Sequence, residues 1–361
     1  MKLLMVYNFD QYEAEVENPN FYRSCAEKVF PKLSVSTSFL PDLAKSLLYK
    51  ILILFRVDKG QALDVCIFFW LIRYGHKYEV IVGWLTGGII ASFLKGILRW
   101  RNTRVCLILY KMPTKNHSEI IYRVKHFILR ISSKGADRIM TLDHLQAISF
   151  EKYLGRGPDS IKALVYGIDT DWYDNQLKNI PQIVFPPTVF CPGSAHRDDS
   201  VLENAVFDID VCVKRYQLDD TGVARAISER VGKAHMEKNY NAPYNSYMFD
   251  CRNSSMVVIA VENSDKPVGL TALLECMALG RPVIITNGAS SRDYVSDGFT
   301  GLLFEAGNWQ QLRDKIQFLL DYPDEAERIG SNASEHVRLK YGLYSCGESF
   351  HQSLYDMANK H

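Results

Sequence analysis

One stretch limits the fold of this chain more than any other: Met256 to Thr286, MVVIAVENSDKPVGLTALLECMALGRPVIIT. Met256–Val261 is a continuous apolar run, the pattern of a strand buried on both faces. Gly269 opens a short helical segment over 271–279, and Gly280 stands where helices tend to stop. Arg281-Pro282 leads into a second apolar run, Val283–Ile285. Strand, loop, helix and strand in that order make a right-handed crossover with parallel strands. Open sheets of this kind bind ligands beyond the carboxyl ends of their strands. The loop Glu262–Val268 falls there. The backbone N–H groups of Gly269, Leu270 and Thr271, at the helix start, attract anions and phosphate above all. Thr271 and Glu275 are four residues apart and share a helix face. A carboxylate one turn behind a phosphate site can accept two hydrogen bonds from a ribose diol. Phosphate at the tip and ribose on the flank describe a nucleotide, although topology alone suits any doubly wound domain.

The wording of the segment goes further. GLTALLECMALGRPVIIT, followed by RDYVSDGFTGLLFEAGNWQQLRDKIQFLLDYPDEAERIGSNASEHV, closely resembles the second domain of retaining glycosyltransferases of family four, which have the two-domain GT-B fold. The resemblance is dense across 247–337 and thinner elsewhere. It implies an α/β chain of two facing Rossmann-like doubly wound domains, with a C-terminal helix crossing back to the first. The expected divisions are an acceptor-side domain over 1–169, a Pro-rich linker over 170–187, a nucleotide-sugar domain over 188–343 and the returning helix over 344–361. It also implies a nucleotide-diphosphate sugar as donor, a saccharide or lipid-linked acceptor, retention at the anomeric carbon, and no metal or other cofactor. Asp208-Ile209-Asp210 has the spacing of a metal motif but precedes a strand instead of ending one.

Charge is unevenly placed. Residues 1–165 hold 24 Lys/Arg against 14 Asp/Glu, a net +10, and residues 166–361 hold 18 against 27, a net −9. A basic half suits an anionic surface. Three segments share a basic amphipathic habit: 42–57 (with Asp42 or Ser46 as cap), 89–101 (ending Arg99-Trp100-Arg101) and 119–134, where Ile120, Val124, Phe127 and Ile131 form one stripe. Such helices either pack on a sheet with their charges solvated or lie on an anionic membrane. No nucleic-acid recognition module is visible. The eight cysteines show no pairing pattern, as expected of a reducing compartment. No run is long enough to span a bilayer. The expected location is cytoplasmic, peripheral on the inner membrane face.

Along the first half, Leu3–Tyr7 reads as a strand, followed by Asn8-Phe9-Asp10-Gln11 where many relatives carry a glycine pair near the donor phosphates. Tyr78–Trp84 is another strand, and Leu85-Thr86-Gly87-Gly88 after it serves either ligand approach or a plain turn. Arg104–Tyr110 ends in the loop Lys111–Ser118. Its His117 is the candidate catalytic histidine by resemblance. Asp143 with Gln146 reads as a helix cap.

In the second half, Thr188–Pro192 is a strand followed by Gly193-Ser194-Ala195-His196-Arg197. Relatives hold the donor diphosphate here with an arginine beside the glycine and a lysine further on. Arg197 matches the lysine position and the arginine is missing. Lys214 or Arg215 is a candidate replacement. A guanidinium suits bidentate phosphate contact, while Asp198 or Asp199 offers Arg197 an ordinary ion pair. The nucleotide base is expected near 234–241. Relatives carry two glutamates with seven residues between them. Glu275 keeps the second, and Pro267 stands at the first, with Glu262, Asp265 and Lys266 nearby. That departure keeps two other classes open: a non-catalytic partner subunit of the same fold, and a nucleotide-sugar epimerase.

Overall fold

The computed structural model describes residues 1–6, 25–55, 57–109, 119–183, 186–219, 221–262 and 268–359, with backbone alone at 26, 120, 121, 289 and 290. Among these, residues 1–6, 25–165 and Gly347 onward form one compact unit, and Tyr166–Cys346 form a second.

The first unit is built on six strands: β1 (Lys2–Val6), β2 (Ser36–Phe39), β3 (Val80–Trp84), β4 (Arg104–Ile108), β5 (Arg138–Thr141) and β6 (Ile161–Ala163). They lie in the order β2-β1-β3-β4-β5-β6, all parallel. The helices α1 (Leu47–Leu54), α2 (Lys59–Tyr74), α3 (Leu85–Leu98), α4 (Glu119–Ser132) and α5 (His144–Leu154) make the returns. The inner strands read as unbroken apolar runs because helices cover both faces. Leu4, Ile81 and Val105 meet Ile67, Leu71 and Leu94 on one side. Leu107 and Ile139 meet Phe150 and Leu154 on the other.

Several expectations change here. The segment 42–57 is not one helix. A 3-10 turn, Leu43–Lys45, precedes α1, and Ser46 caps α1 by accepting a bond from the Tyr49 N–H at 3.2 Å. Leu85-Thr86-Gly87-Gly88 is not a loop but the first turn of α3. It can start there because glycine lets helix and strand touch: a Cβ on Gly88 would stand 2.2 Å from the Gly83 carbonyl oxygen. Trp100, which ends the basic segment 89–101, is buried, its ring closed over Gly75. Asp143 caps α5 as read, accepting from the Gln146 N–H at 2.7 Å.

The second unit carries β7 (Thr188–Pro192), β8 (Cys212–Gln217), β9 (Arg225–Val231), β10 (Ala234–Tyr240), β11 (Met256–Ile259), β12 (Val283–Thr286) and β13 (Leu302–Phe304), in the order β13-β12-β11-β7-β8-β10-β9. Only β9 runs antiparallel to its neighbour. Its helices are α6 (Thr170–Leu177), α7 (Asp199–Val206), α8 (Tyr244–Asn253), α9 (Leu270–Ala278), α10 (Ala289–Tyr294), α11 (Trp309–Asp321) and α12 (Pro323–Lys340). The stripe Leu312, Ile316 and Leu319 on α11 enters the core with Val258 and Ile284, and Asn308 caps the helix. The expected linker over 170–187 begins instead with α6, capped by Asp169 and anchored by the buried Tyr173. A last helix, α13 (Leu343–Ala358), follows α12, and its residues from Gly347 on belong to the first unit.

Candidate functional site

The crossover read from the sequence is present: β11, a loop, α9 and β12, with β11 parallel to both β12 and β7. From β7 the chain passes to β8 on one side, while β11 lies on the other. The crevice beyond β7 and β11 is therefore the topological switch point of the sheet, where open α/β folds take their ligands. Two loops meet there and bind each other. The Asp198 N–H donates to the Ala260 carbonyl at 3.1 Å, and the Glu262 N–H donates to the His196 carbonyl at 3.0 Å. Arg197 and Val261 form an isolated antiparallel bridge between them.

Arg197 is the cation of this crevice. Its Nε donates to the Pro192 carbonyl at 2.8 Å and its Nη1 to the Ala195 carbonyl at 3.0 Å. Neither acidic neighbour neutralises it: Asp198 caps α7, and Asp199 pairs with Arg215. The guanidinium lies against two glycines of positive φ, Gly193 at 82° and Gly269 at 83°. A Cβ on Gly193 would stand 2.5 Å from Nη2, and one on Gly269 would stand 3.6 Å from Nη1. Gly269 is the residue from which α9 starts, so the Arg197 charge and the positive end of α9 fall side by side. Burial lowers the pKa of this guanidinium, Tyr247 opposes the shift and Arg215 adds to it. An arginine keeps its charge under such a shift. A half-buried cation that pairs with no carboxylate among the described residues, at a helix amino end, is an arrangement that favours an anion.

Glu275 is buried one turn into α9. Its Oε2 accepts from the Tyr247 hydroxyl at 3.0 Å, and Tyr173 hydrogen-bonds to the same carboxylate. Thr271, on the same face, is exposed at the helix start. Gly193, Arg197, Gly269, Leu270, Thr271 and Glu275 are thus brought to one edge of the second sheet.

Lys214 is not. Side chains alternate along a strand, and on β8 Lys214 faces Asp250 of α8, with Nζ donating at 2.7 Å. Arg215 takes the opposite face. It is buried, and with Arg197, Gly193 and Asp199 it lines a small recess beside the β7 loop. The second cation near the predicted phosphate position is therefore Arg215. Alternation would have separated the two candidates once either was placed. The proposed base region over 234–241 is strand β10 and its end, Asn241. Asp208 pairs with Arg313 at the amino-terminal side of β8, away from the crevice edge. No group of metal-ligating side chains occurs among the described residues. Glu262 meets His196 at 3.5 Å. His117, Asn8–Gln11, Asp265, Lys266 and Pro267 lie outside the described residues.

The tyrosines around Glu275 were missed from the sequence. Tyr244 and Tyr247 stack with ring centres 5.3 Å apart and planes 14° from parallel. The Tyr173 and Tyr244 hydroxyls lie 2.8 Å apart. Their signal was the spacing Tyr244-x-x-Tyr247, three apart at the start of a helix and so on one face.

The family described as Glycosyl transferases group 1 matches residues 249–336. An α-D-kanosaminyltransferase of Streptomyces kanamyceticus is 30% identical over 76 residues, 21% of this chain and 20% of that protein. The capsular polysaccharide biosynthesis glycosyltransferase CapM of Staphylococcus aureus is 32% identical over 83 residues, 23% of this chain and 22% of CapM. The chain thus matches about one fifth of the length of these two relatives. Solved structures align over nearly the whole chain. Anabaena HepE in complex with UDP superposes with a TM-score of 0.67 at 14% identity, covering 99% of this chain and 100% of that one. Sucrose-phosphate synthase from Thermosynechococcus elongatus gives a TM-score of 0.70 at 14% identity, covering 99% of each chain.

Proposed function

We propose that this chain, which has the GT-B fold and whose residues 249–336 match the group 1 glycosyl transferases, transfers a sugar from a nucleotide-diphosphate sugar to a saccharide or lipid-linked acceptor. The observation that carries this reading is the Arg197 guanidinium, held by two backbone carbonyls beside Gly269 and paired with no carboxylate among the described residues. The donor diphosphate would lie against Arg197 and the N–H groups of Gly269, Leu270 and Thr271, with Arg215 behind it. Glu275 would take the ribose diol. Departure of the nucleoside diphosphate breaks the bond from the anomeric carbon to the phosphate oxygen. Arg197 and the helix end stabilise the charge that develops there. The acceptor oxygen forms its bond on the same face, giving retention, and its proton passes to the departing diphosphate. Polysaccharide or glycolipid assembly is the pathway class that fits a basic first half.

That first half also has the surface for it. On α4 three members of the stripe read from the sequence, Val124, Phe127 and Ile131, are exposed, and among the described side chains of the helix only Leu129 of the large apolar residues is buried. The exposed Arg123, Lys125 and Arg130 interleave with it. On α1 and just after it, Leu47, Leu54 and Phe55 are more than two-thirds exposed. We assign these faces to an anionic bilayer surface, which places the protein in the cytoplasm on the inner face of a membrane. The third segment, 89–101, buries Ala91, Leu94 and Trp100 and contributes less. Among the described residues no helix is long and apolar enough to cross a membrane. Sedimentation with phosphatidylglycerol vesicles, but not phosphatidylcholine vesicles, is expected, and Phe127→Glu should abolish it. Equal sedimentation by wild type and variant would remove the assignment.

The test of the main reading is thermal unfolding with UDP, GDP, ADP, dTDP and CMP, run on wild type, Arg197→Ala and Glu275→Ala. A nucleotide at a hundred times its dissociation constant adds about 2.7 kcal/mol. One nucleotide should stabilise the wild type and neither variant. The proline at position 267, where relatives carry their first glutamate, supports a second reading, a partner subunit without turnover. Stabilisation by none of the five would favour it.

A further inference from the structure

The hydroxyls around Glu275 come from two helices, α6 and α8, and have no role in the transfer described above. Tyr247 of α8 donates to Glu275 Oε2 at 3.0 Å. Tyr173 of α6, 1% exposed, also bonds the carboxylate, and its oxygen lies 2.8 Å from the Tyr244 hydroxyl. A phenol has one hydrogen to give. If Tyr173 gives its own to the carboxylate, Tyr244 must donate to Tyr173, and the chain of donors has one direction. Burial, with Glu275 and its neighbours adding, raises the pKa of Tyr173, Tyr244 and Tyr247 well above the ordinary phenol value. All three therefore remain donors at any physiological pH. The stacked pair Tyr244–Tyr247 fixes the ring from which the Glu275 bond is made, and Phe190 meets Tyr247 edge-on at 5.0 Å.

We infer that Tyr247 and Tyr173 are positioning residues that hold the Glu275 carboxylate in the orientation required to read a ribose diol. A carboxylate offers about four acceptor positions, more than two phenols occupy. An anionic side chain inside a protein that can rotate would lose part of its advantage to reorganisation, and fixed donors remove that freedom. The consequence is discrimination: the site should prefer a ribonucleotide to its 2′-deoxy counterpart, and this preference should depend on the two phenols.

This rests on the nucleotide reading above, and the experiment separates the two. Dissociation constants are measured by calorimetry for UDP, GDP or ADP, whichever binds, for its 2′-deoxy form and for pyrophosphate. The proteins are wild type, Glu275→Gln, Tyr247→Phe and Tyr173→Phe. Wild type is expected to prefer the ribonucleotide about tenfold, the effect of one hydrogen bond to a charged acceptor, and Glu275→Gln to lose the preference. Tyr247→Phe should keep its pyrophosphate affinity and reduce the preference to about threefold, with Tyr173→Phe in the same direction. A merely structural loss would weaken all three ligands together. If Glu275→Gln loses the preference while both phenylalanine variants keep it in full, the positioning role is wrong and the nucleotide reading survives. If Glu275→Gln keeps the preference, or no ribonucleotide binds, the ribose assignment fails and the positioning role fails with it.

Discussion

Both units are doubly wound, and both place glycines where a strand hands over to a helix, yet the two sets of glycines do unlike things. In the first unit Gly88, in the opening turn of α3, lies against the Gly83 carbonyl of β3. Its missing side chain is filled by backbone and by Leu107. In the second unit the space beside Gly193 is filled by the Arg197 guanidinium, and that beside Gly269 by Ile259 Cγ2 with the guanidinium next to it. The same saving of a methyl group gives close packing in one unit and a lodged cation in the other. Fold is shared and chemistry is not. Substitutions at these positions should therefore separate into losses of stability and losses of binding.

The largest effect is expected at Gly88. A Cβ there would stand 2.2 Å from one backbone atom and 2.6 Å from Leu107 Cδ1. Backbone does not yield as a side chain tip does. Gly88→Ala should cost about 3 kcal/mol of stability, the upper end of overpacking effects. Urea unfolding measures it, and a neutral result would mean that α3 can shift and that the packing role is wrong. Next is Arg197→Ala. Hydrogen bonds to charged groups contribute about 1.5–3 kcal/mol, so nucleotide affinity should fall roughly tenfold to a hundredfold. Retained affinity would leave the second unit with no more chemistry at its crevice than the first.

Gly193→Ala comes third and sharpens the contrast. The residue has a φ of 82°, and the new methyl would press on Nη2 at 2.5 Å. Strain of about 1–2 kcal/mol is expected for alanine in this region. The guanidinium tip can move, so the fold should survive while nucleotide affinity falls about tenfold. A variant that binds normally would show that Arg197 need not occupy its observed place.

How much of this was legible follows from the same physics. The crossover at 256–286 was legible because buried parallel strands write themselves as apolar runs and the glycines mark where the helix starts and stops. Arg197 and Glu275 were singled out by their match to positions of the resembling family, and the fold brings both to the crevice edge of the second sheet. What was not legible depended on contacts between elements. The helix α6 was read as linker from its prolines, yet Pro181, Pro186 and Pro187 all follow it, and Asp169 supplied an unread cap. The turn at 85–88 looked like a loop because glycine is a poor helix former, and only the closeness of β3 made it favourable. The outward face of α4 could not be decided from periodicity, since a stripe gives a direction around the helix and not the side on which the sheet lies. The tyrosines around Glu275 come from α6 and α8, about 100 and 30 residues before it; the spacing of Tyr244 and Tyr247 puts those two on one face, but no local pattern joins any of the three to Glu275.

The smallest expected effect concerns the residue that the sequence proposed and the sheet turned away. Lys214 and Arg215 were equivalent candidates for a second phosphate cation. The β8 pleat puts Arg215 beside Arg197 and pairs Lys214 with Asp250 on the other face, where the Tyr216 hydroxyl also donates to Asp250 at 2.7 Å. Lys214→Ala leaves Asp250 with that phenol and removes one partly buried ion pair. The loss should be about 1 kcal/mol of stability, with nucleotide affinity unchanged. Arg215→Ala should do the reverse in kind: it frees Asp199 at the crevice edge and weakens nucleotide binding several-fold. Calorimetry on the two variants side by side decides which face of β8 belongs to the site. If Lys214→Ala weakened binding while Arg215→Ala did not, the Lys214–Asp250 pair would have to open when the nucleotide arrives. The crevice would then extend to the α8 side of the sheet.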